Sequence, residues 1–217
     1  MALSKVDFNN INVTPAASKA LKWNSSANGF ETGDLGGNMV LLSTQTASSS
    51  ATIDFTSSID STYKEYVFKF TDIHAASGNA DFTVNFRDGG SNFDATKTTS
   101  AFTVSHTEAD GGDGLTYRAS KDLAQSTSDQ PLAQEVSGDN DASTNGYLQL
   151  FNPSSTTFVK HFIGVTNSYH NGNQSFAIHY AGYCNVTAAI DGVQFKMSSG
   201  NIDSGTIKMY GVGPKQS

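Results

Sequence analysis

The sequence predicts an all-β protein, an antiparallel sandwich or jelly roll preceded by an extended N-terminal arm, and three observations predict it. Apolar residues alternate with polar ones over short runs. Those runs are separated by connections rich in Gly, Asn, Asp and Ser, and no sustained 3.6-residue stripe competes with them. Many short strands without intervening helices bury their inner faces most simply by stacking two antiparallel sheets. At 217 residues the chain fits one such domain with an added segment, and 14 Phe and 8 Tyr suffice to fill its core.

Residues 1–37 differ from the rest. Their apolar positions are sparse, Pro15 interrupts them, and a loose glycine-bearing run follows Trp23. They read as an extended arm with one helical turn near residues 16–21. Such an arm buries little within itself, so it is expected to lie across its own domain or a neighbour. Leu21, Trp23 and Phe30 are its candidate anchors, because a large aromatic on a polar segment is most useful where it fills a pocket. Trp23 closing one end of the core is the other reading.

Residues 38–217 form the expected sandwich domain. Runs at 39–44 and 51–55 open it. In residues 64–73, Tyr66, Phe68 and Phe70 alternate with Val67, Lys69 and Thr71, the period of two that a half-buried strand requires. Phe82, Val84 and Phe86 repeat it, and Asp88-Gly89-Gly90 supplies a turn. Further strands are expected at 101–105, 115–119, 146–151, 158–166, 174–184, 193–197 and 206–212. In the last of these Ile207 and Met209 share a face and Tyr210 takes the other, as expected beside an interior strand. Residues 121–144 break the pattern with Ser, Asp, Gln and Pro131, and read as one long loop, either a contact segment or a mobile one.

Composition narrows the function classes. The formal charge is −7, yet only 15% of residues are charged, so Ser, Thr and Gly carry the surface polarity. The 13 Lys and Arg are scattered, with Arg87 and Arg118 the only arginines, which argues against nucleic acid as a partner. No run approaches the roughly 18 apolar residues of a membrane-spanning helix, and the first ten residues have neither the basic nor the apolar region of a leader. Neither a membrane nor export is expected. Cys184 is alone, which excludes an intrachain disulfide and a four-cysteine zinc site.

Reactive constellations are sparse. The chain has no Gly-x-Ser-x-Gly elbow, no His-Glu-x-x-His and no Cys-x-x-Cys, so no catalytic residue and no cofactor is assigned. His106 with Glu108, and the group His161, His170 and His179, are the available metal-ligand spacings; they read as solvated strand or loop histidines, and no metal is assigned. Asp110-Gly-Gly-Asp113-Gly and Asp139-Asn-Asp141 resemble fragments of calcium loops but lack the full spacing. Asp54 and Asp60 are expected to cap turns. Cys184, with no Lys or Arg close in sequence, is expected to be a buried, inert thiol.

Four stretches carry a resemblance: Ala51-Thr-Ile53-Asp-Phe55; Ile59-Asp60-x-x-Tyr63-x-x-Tyr66-x-Phe68; Gly146-Tyr-Leu148-Gln-Leu150-Phe-Asn152-Pro153; and Gly200-Asn-Ile202-x-Ser204-Gly205-Thr-Ile207-x-Met209-Tyr210-Gly211-Val212. Together, over roughly residues 38–213, they resemble structural proteins of tailed bacteriophages, including head decoration, minor structural and tail-fibre proteins of marine and cyanobacterial phages. The arm is not part of the pattern. The resemblance implies a jelly-roll sandwich without enzymatic activity, often a homotrimer, located in the virion and assembled in the host cytoplasm. The expected role is a capsid decoration (cement) protein bound to the major capsid protein, with other virion proteins as further partners. The alternative is a tail-fibre or baseplate-associated module that recognises host surface glycan through aromatics such as Tyr169 and His170.

Overall fold

A computed structural model describes residues 19–24, 26, 28–34 and 38–213. The chain divides into two units, one ending at Asn38 and the other beginning at Met39. The first contains a hairpin, β1 (Lys19–Trp23) paired antiparallel with β2 (Phe30–Asp34). The helical turn expected near residues 16–21 is not found where the structure describes them: Lys19, Ala20 and Leu21 lie in β1, and residues 16–18 fall outside the described residues. Pairing with β2 satisfies backbone groups that a single helical turn would leave open.

The second unit holds twelve strands and no helix among the described residues. They are β3 (Met39–Thr46), β4 (Ile53–Phe55), β5 (Glu65–Ala75), β6 (Ala80–Arg87), β7 (Lys97–Thr107), β8 (Gly111–Tyr117), β9 (Gln130–Val136), β10 (Thr144–Phe151), β11 (Lys160–His170), β12 (Gln174–Cys184), β13 (Gly192–Met197) and β14 (Ile202–Val212). Neighbours run β3-β14-β5-β10-β11-β12-β7-β8 on one side and β9-β6-β13-β4 on the other. A single pair, His170 with Val136, joins the two where the backbone turns the corner.

The winding is that of a jelly roll. Setting aside two inserted hairpins, β7–β8 and β11–β12, the remaining eight strands form two four-stranded sheets, β3-β14-β5-β10 and β9-β6-β13-β4. The chain steps from one sheet to the other at every connection except β6 to β9, so first and last strands pair as β3 and β14. The inserted hairpins both add to the edge beyond β10, lengthening one sheet to eight strands while the opposite sheet stays at four.

Aromatic rings fill the space between the sheets. Phe195 of β13 lies 5.5 Å from Phe68 and 5.2 Å from Phe70, both of β5, and touches Phe82 and Phe55 as well. Phe86 meets Phe162 at 4.9 Å. These edge-to-face and tilted arrangements are those that ring quadrupoles favour. β14 behaves as its sequence predicts, with Ile207 and Met209 buried between β3 and β5 and Tyr210 on the outer face beside Lys69.

The expected long loop is a second correction. Residues 121–144 are not a single loop, because β9 lies inside them as the edge of the four-stranded sheet. Only Leu132, Ala133 and Val136 give it apolar character, and Gln130 is fully buried as well. The Gln130 side-chain NH2 donates to the carbonyls of Lys121 at 3.0 Å and Pro131 at 2.8 Å, while its Oε1 is buried without a partner among the described residues. Pro131 is tolerated because β9 is an edge strand.

Candidate functional site

The three arm residues singled out by sequence are brought together. In the β1–β2 register Trp23 faces Phe30 and Leu21 faces Thr32, so Leu21, Trp23 and Phe30 share one face of the hairpin. The Trp23 and Phe30 rings stack at 4.5 Å, and all three side chains are exposed, Trp23 to 61%. On the other face Lys22 stands opposite Glu31 with Nζ 3.2 Å from Oε1. Strand alternation thus separates an apolar face from a polar one.

A second exposed apolar surface lies on the outer face of the long sheet, where sequence reasoning had placed nothing. One register row crosses Tyr117, Phe102, His179, Val165 and Tyr147. Phe102 stacks on His179 at 4.7 Å with the rings nearly parallel. The next row holds Leu115, Val104 and Ala177. The signal was available, since residues 101–105 alternate large apolar with small polar side chains. Alternation alone does not say which face is buried: Ala101 and Thr103 point inward and Phe102 and Val104 point out.

The histidines do not assemble. His161 and His179 sit on the outer face in different register rows, while His170 is buried, stacked on Phe176, and within 3.1 Å of Glu135 Oε2. His106 lies 3.5 Å from Asp110 in the β7–β8 turn. Asp110 takes a left-handed conformation there, and Gly111 to Gly114 run on into β8, so this segment is a hairpin and not a cation loop. Asp141 opens onto a cleft with Asp72, His74 and Asp203. Among the described residues no group of three His, Cys, Asp or Glu is placed to hold a metal ion. Asp60 caps its turn, accepting from the Thr62 amide at 2.8 Å, and hydrogen bonding from the Thr62 side chain and then its amide holds the carboxyl below the ordinary range. Asp54 does not cap a turn; it lies within β4 and accepts from Gln194 across the pair with β13.

Cys184 is buried, but its surroundings differ from the expectation. Register places Lys97 of β7 and Lys160 of β11 directly opposite it, one on each side, and all three are fully buried. Sequence neighbours gave no hint, because the lysines arrive from other strands. Lys97 Nζ donates to Asn85 Oδ1 at 2.7 Å and to the Ala95 carbonyl at 2.9 Å; Lys160 Nζ donates to the Val186 carbonyl at 2.7 Å. Burial pulls the Lys97 ammonium down to about 8 and also lowers Lys160. Burial pushes the Cys184 thiol up to about 12 despite both ammonium groups. The thiol therefore stays protonated at neutral pH and is a poor nucleophile.

No protein-family model matches the chain, and no curated protein matches it. Among solved structures, a protein of unknown function from Shewanella oneidensis MR-1 aligns over 94% of this chain and 83% of its own, at 11% identity and a TM-score of 0.19.

Proposed function

We propose that the protein is a non-enzymatic virion structural protein, a capsid decoration (cement) protein that attaches to an assembled shell through its N-terminal hairpin and associates with its own copies. The observation that carries this reading is the exposed Leu21–Trp23–Phe30 face. Burying each of these side chains against a partner contributes on the order of 2 kcal/mol, enough together for a stable attachment when repeated over a shell. The phage setting, with the major capsid protein as partner, rests on the sequence resemblance. The jelly-roll domain supports it as a rigid, disulfide-free body whose low surface charge lets it pack beside other subunits with little desolvation of ions.

The test is addition of the full-length protein to shells that lack it. Wild type is expected to occupy the shell surface in cryo-EM density. Trp23→Ala with Phe30→Ala should abolish occupancy while leaving the melting temperature unchanged. Absence of wild-type density from the shell refutes the placement.

The receptor-binding alternative is supported by a polar groove lined by His106, Glu108, Asn167, Tyr169 and Gln174, a set suited to sugar hydroxyls. His170, expected beside Tyr169, points into the core instead. Retention on a glycan array that is lost in Tyr169→Ala would favour this reading over attachment to a shell.

A further inference from the structure

The β7–β8 ribbon overhangs the sandwich. β8 pairs only with β7 among the described residues, and from Gly112 to Tyr117 every residue is exposed. Its second edge therefore presents free backbone donors and acceptors, and proteins usually guard such an edge with Lys, Pro, short length or a bulge. The other sheet is guarded in these ways: β4 is three residues long, and β9 carries Pro131. β8 has no Lys, Arg or Pro and one charge, Asp113. Its bulge is confined to the hairpin end, where Gly112 has φ +63° and the register shifts. Residues 114–117 remain in regular register with β7.

Leu115 lies within that regular stretch. At 71% exposure it is the most exposed large hydrophobic residue among the described residues. Behind it in the same row stands Val104, and in the next row Tyr117 stands before Phe102. All four are exposed, a contiguous apolar patch of the kind that marks an interaction surface. The strands behind it are uncharged, since residues 98–105 and 175–183 contain no Asp, Glu, Lys or Arg, and the carboxylates beside the patch are Asp113 of β8 and Asp122, which accepts from the Tyr117 hydroxyl.

We infer that β8 pairs antiparallel with β8 of a second copy about a twofold axis at Leu115, joining the two long sheets into one. Three features choose a second copy as the occupant. A chain of net charge −7 meets its own kind with least repulsion where charges are few, and the β7 and β12 residues behind this edge carry none while β8 itself carries only Asp113. An open strand edge is completed by another strand. Twofold pairing at Leu115 also fits the sequence to itself: Leu115 meets Leu115, Thr116 falls over Gly114, and the row Val104–Leu115 continues without interruption into the same row of the other copy. The inference rests on the self-association in the reading above and gives it a surface. It also replaces the threefold symmetry that the resemblance implies with a twofold.

Sedimentation equilibrium of the full-length protein and of Leu115→Lys tests it, together with non-reducing electrophoresis of Leu115→Cys under mild oxidant. Wild type is expected to be dimeric at micromolar concentration, and Leu115→Lys monomeric, with at least a tenfold weaker association constant and an unchanged circular dichroism spectrum. Leu115→Cys should form a covalent dimer through the new thiol, since Cys184 is buried. A monomeric wild type, a trimer, a Leu115→Lys variant that still dimerises, or failure of Leu115→Cys to cross-link would each overturn the inference. Shell occupancy is read separately through Trp23 and Phe30, so a dimer that does not bind shells refutes the attachment and leaves this interface standing.

Discussion

Phe195 and Leu115 come from the same kind of sequence, short runs in which large apolar residues alternate with polar or small ones, and they meet opposite fates. Phe195 projects into the space between two sheets and is fully buried among four other phenylalanines. Leu115, in one row with Val104, projects from the outer face of the long sheet. The difference lies in the face: the inner faces of the two sheets cover each other, and nothing among the described residues covers the outer face of β7 and β8. Alternation therefore states that a strand has an apolar face, and topology decides whether that face becomes core or surface.

Substitutions at the two sites should separate most widely. Phe195→Ala removes a ring packed on both sheets and is expected to cost about 3–5 kcal/mol of folding stability, measured by urea denaturation. Leu115→Ala, assayed at a dilution where the protein is monomeric, should change stability by less than about 0.5 kcal/mol. Comparable losses at both sites would mean that the ribbon belongs to the core after all.

The polar end of the inner face offers a pH-dependent contrast. The folded Lys97 ammonium titrates at about 8 against an ordinary value of 10.5, so between those pH values the unfolded chain binds the extra proton and stability rises with pH. The gain is complete above pH 10.5, absent below pH 8, and amounts to roughly 3 kcal/mol. Cys184, raised from 9.0 to about 12, acts oppositely: the unfolded chain loses its proton first, and stability falls above pH 9. In wild type the cysteine slope opposes the lysine slope between pH 9 and 10.5. Chemical denaturation of Cys184→Ala across this range should reveal the lysine slope as a continuous rise, and a flat profile would contradict the assignment.

Smaller effects test how tightly the inserted β11–β12 hairpin is fitted. A Cβ at Gly164 would meet the Tyr147 carbonyl and the Tyr180 ring, so Gly164→Ala is expected to cost about 1–3 kcal/mol, seen as a lowered urea midpoint. The Tyr180 hydroxyl donates to the Tyr147 carbonyl at 2.7 Å, and Tyr180→Phe should cost about 1 kcal/mol by the same assay. Near-zero values at both would mean that the insertion is as loosely held as β8.

Much of the fold was legible because its strands carry strong local signals. Phe68 and Phe70, Phe82 and Phe86, and Ile207 and Met209 all bury the face their spacing predicts. β9 was not legible, because its burial depends on Gln130 finding carbonyl acceptors in the folded chain. The hairpin face was half legible: Leu21, Trp23 and Phe30 were identified individually, while the pairing that aligns them depends on a turn whose residues give no alternating pattern. Lys97, Cys184 and Lys160 stand 87 and 24 positions apart in sequence and are adjacent only through register. The outer patch escaped because alternation cannot say which face will find a cover.

Hydrogen–deuterium exchange of the β8 amides, followed as the wild-type concentration is raised, tests most directly the claim that this uncovered face is an interface. The account predicts that residues 113–117 become protected with rising concentration while the buried strands β5 and β13 stay unchanged. Exchange in β8 that remains fast and independent of concentration would contradict it.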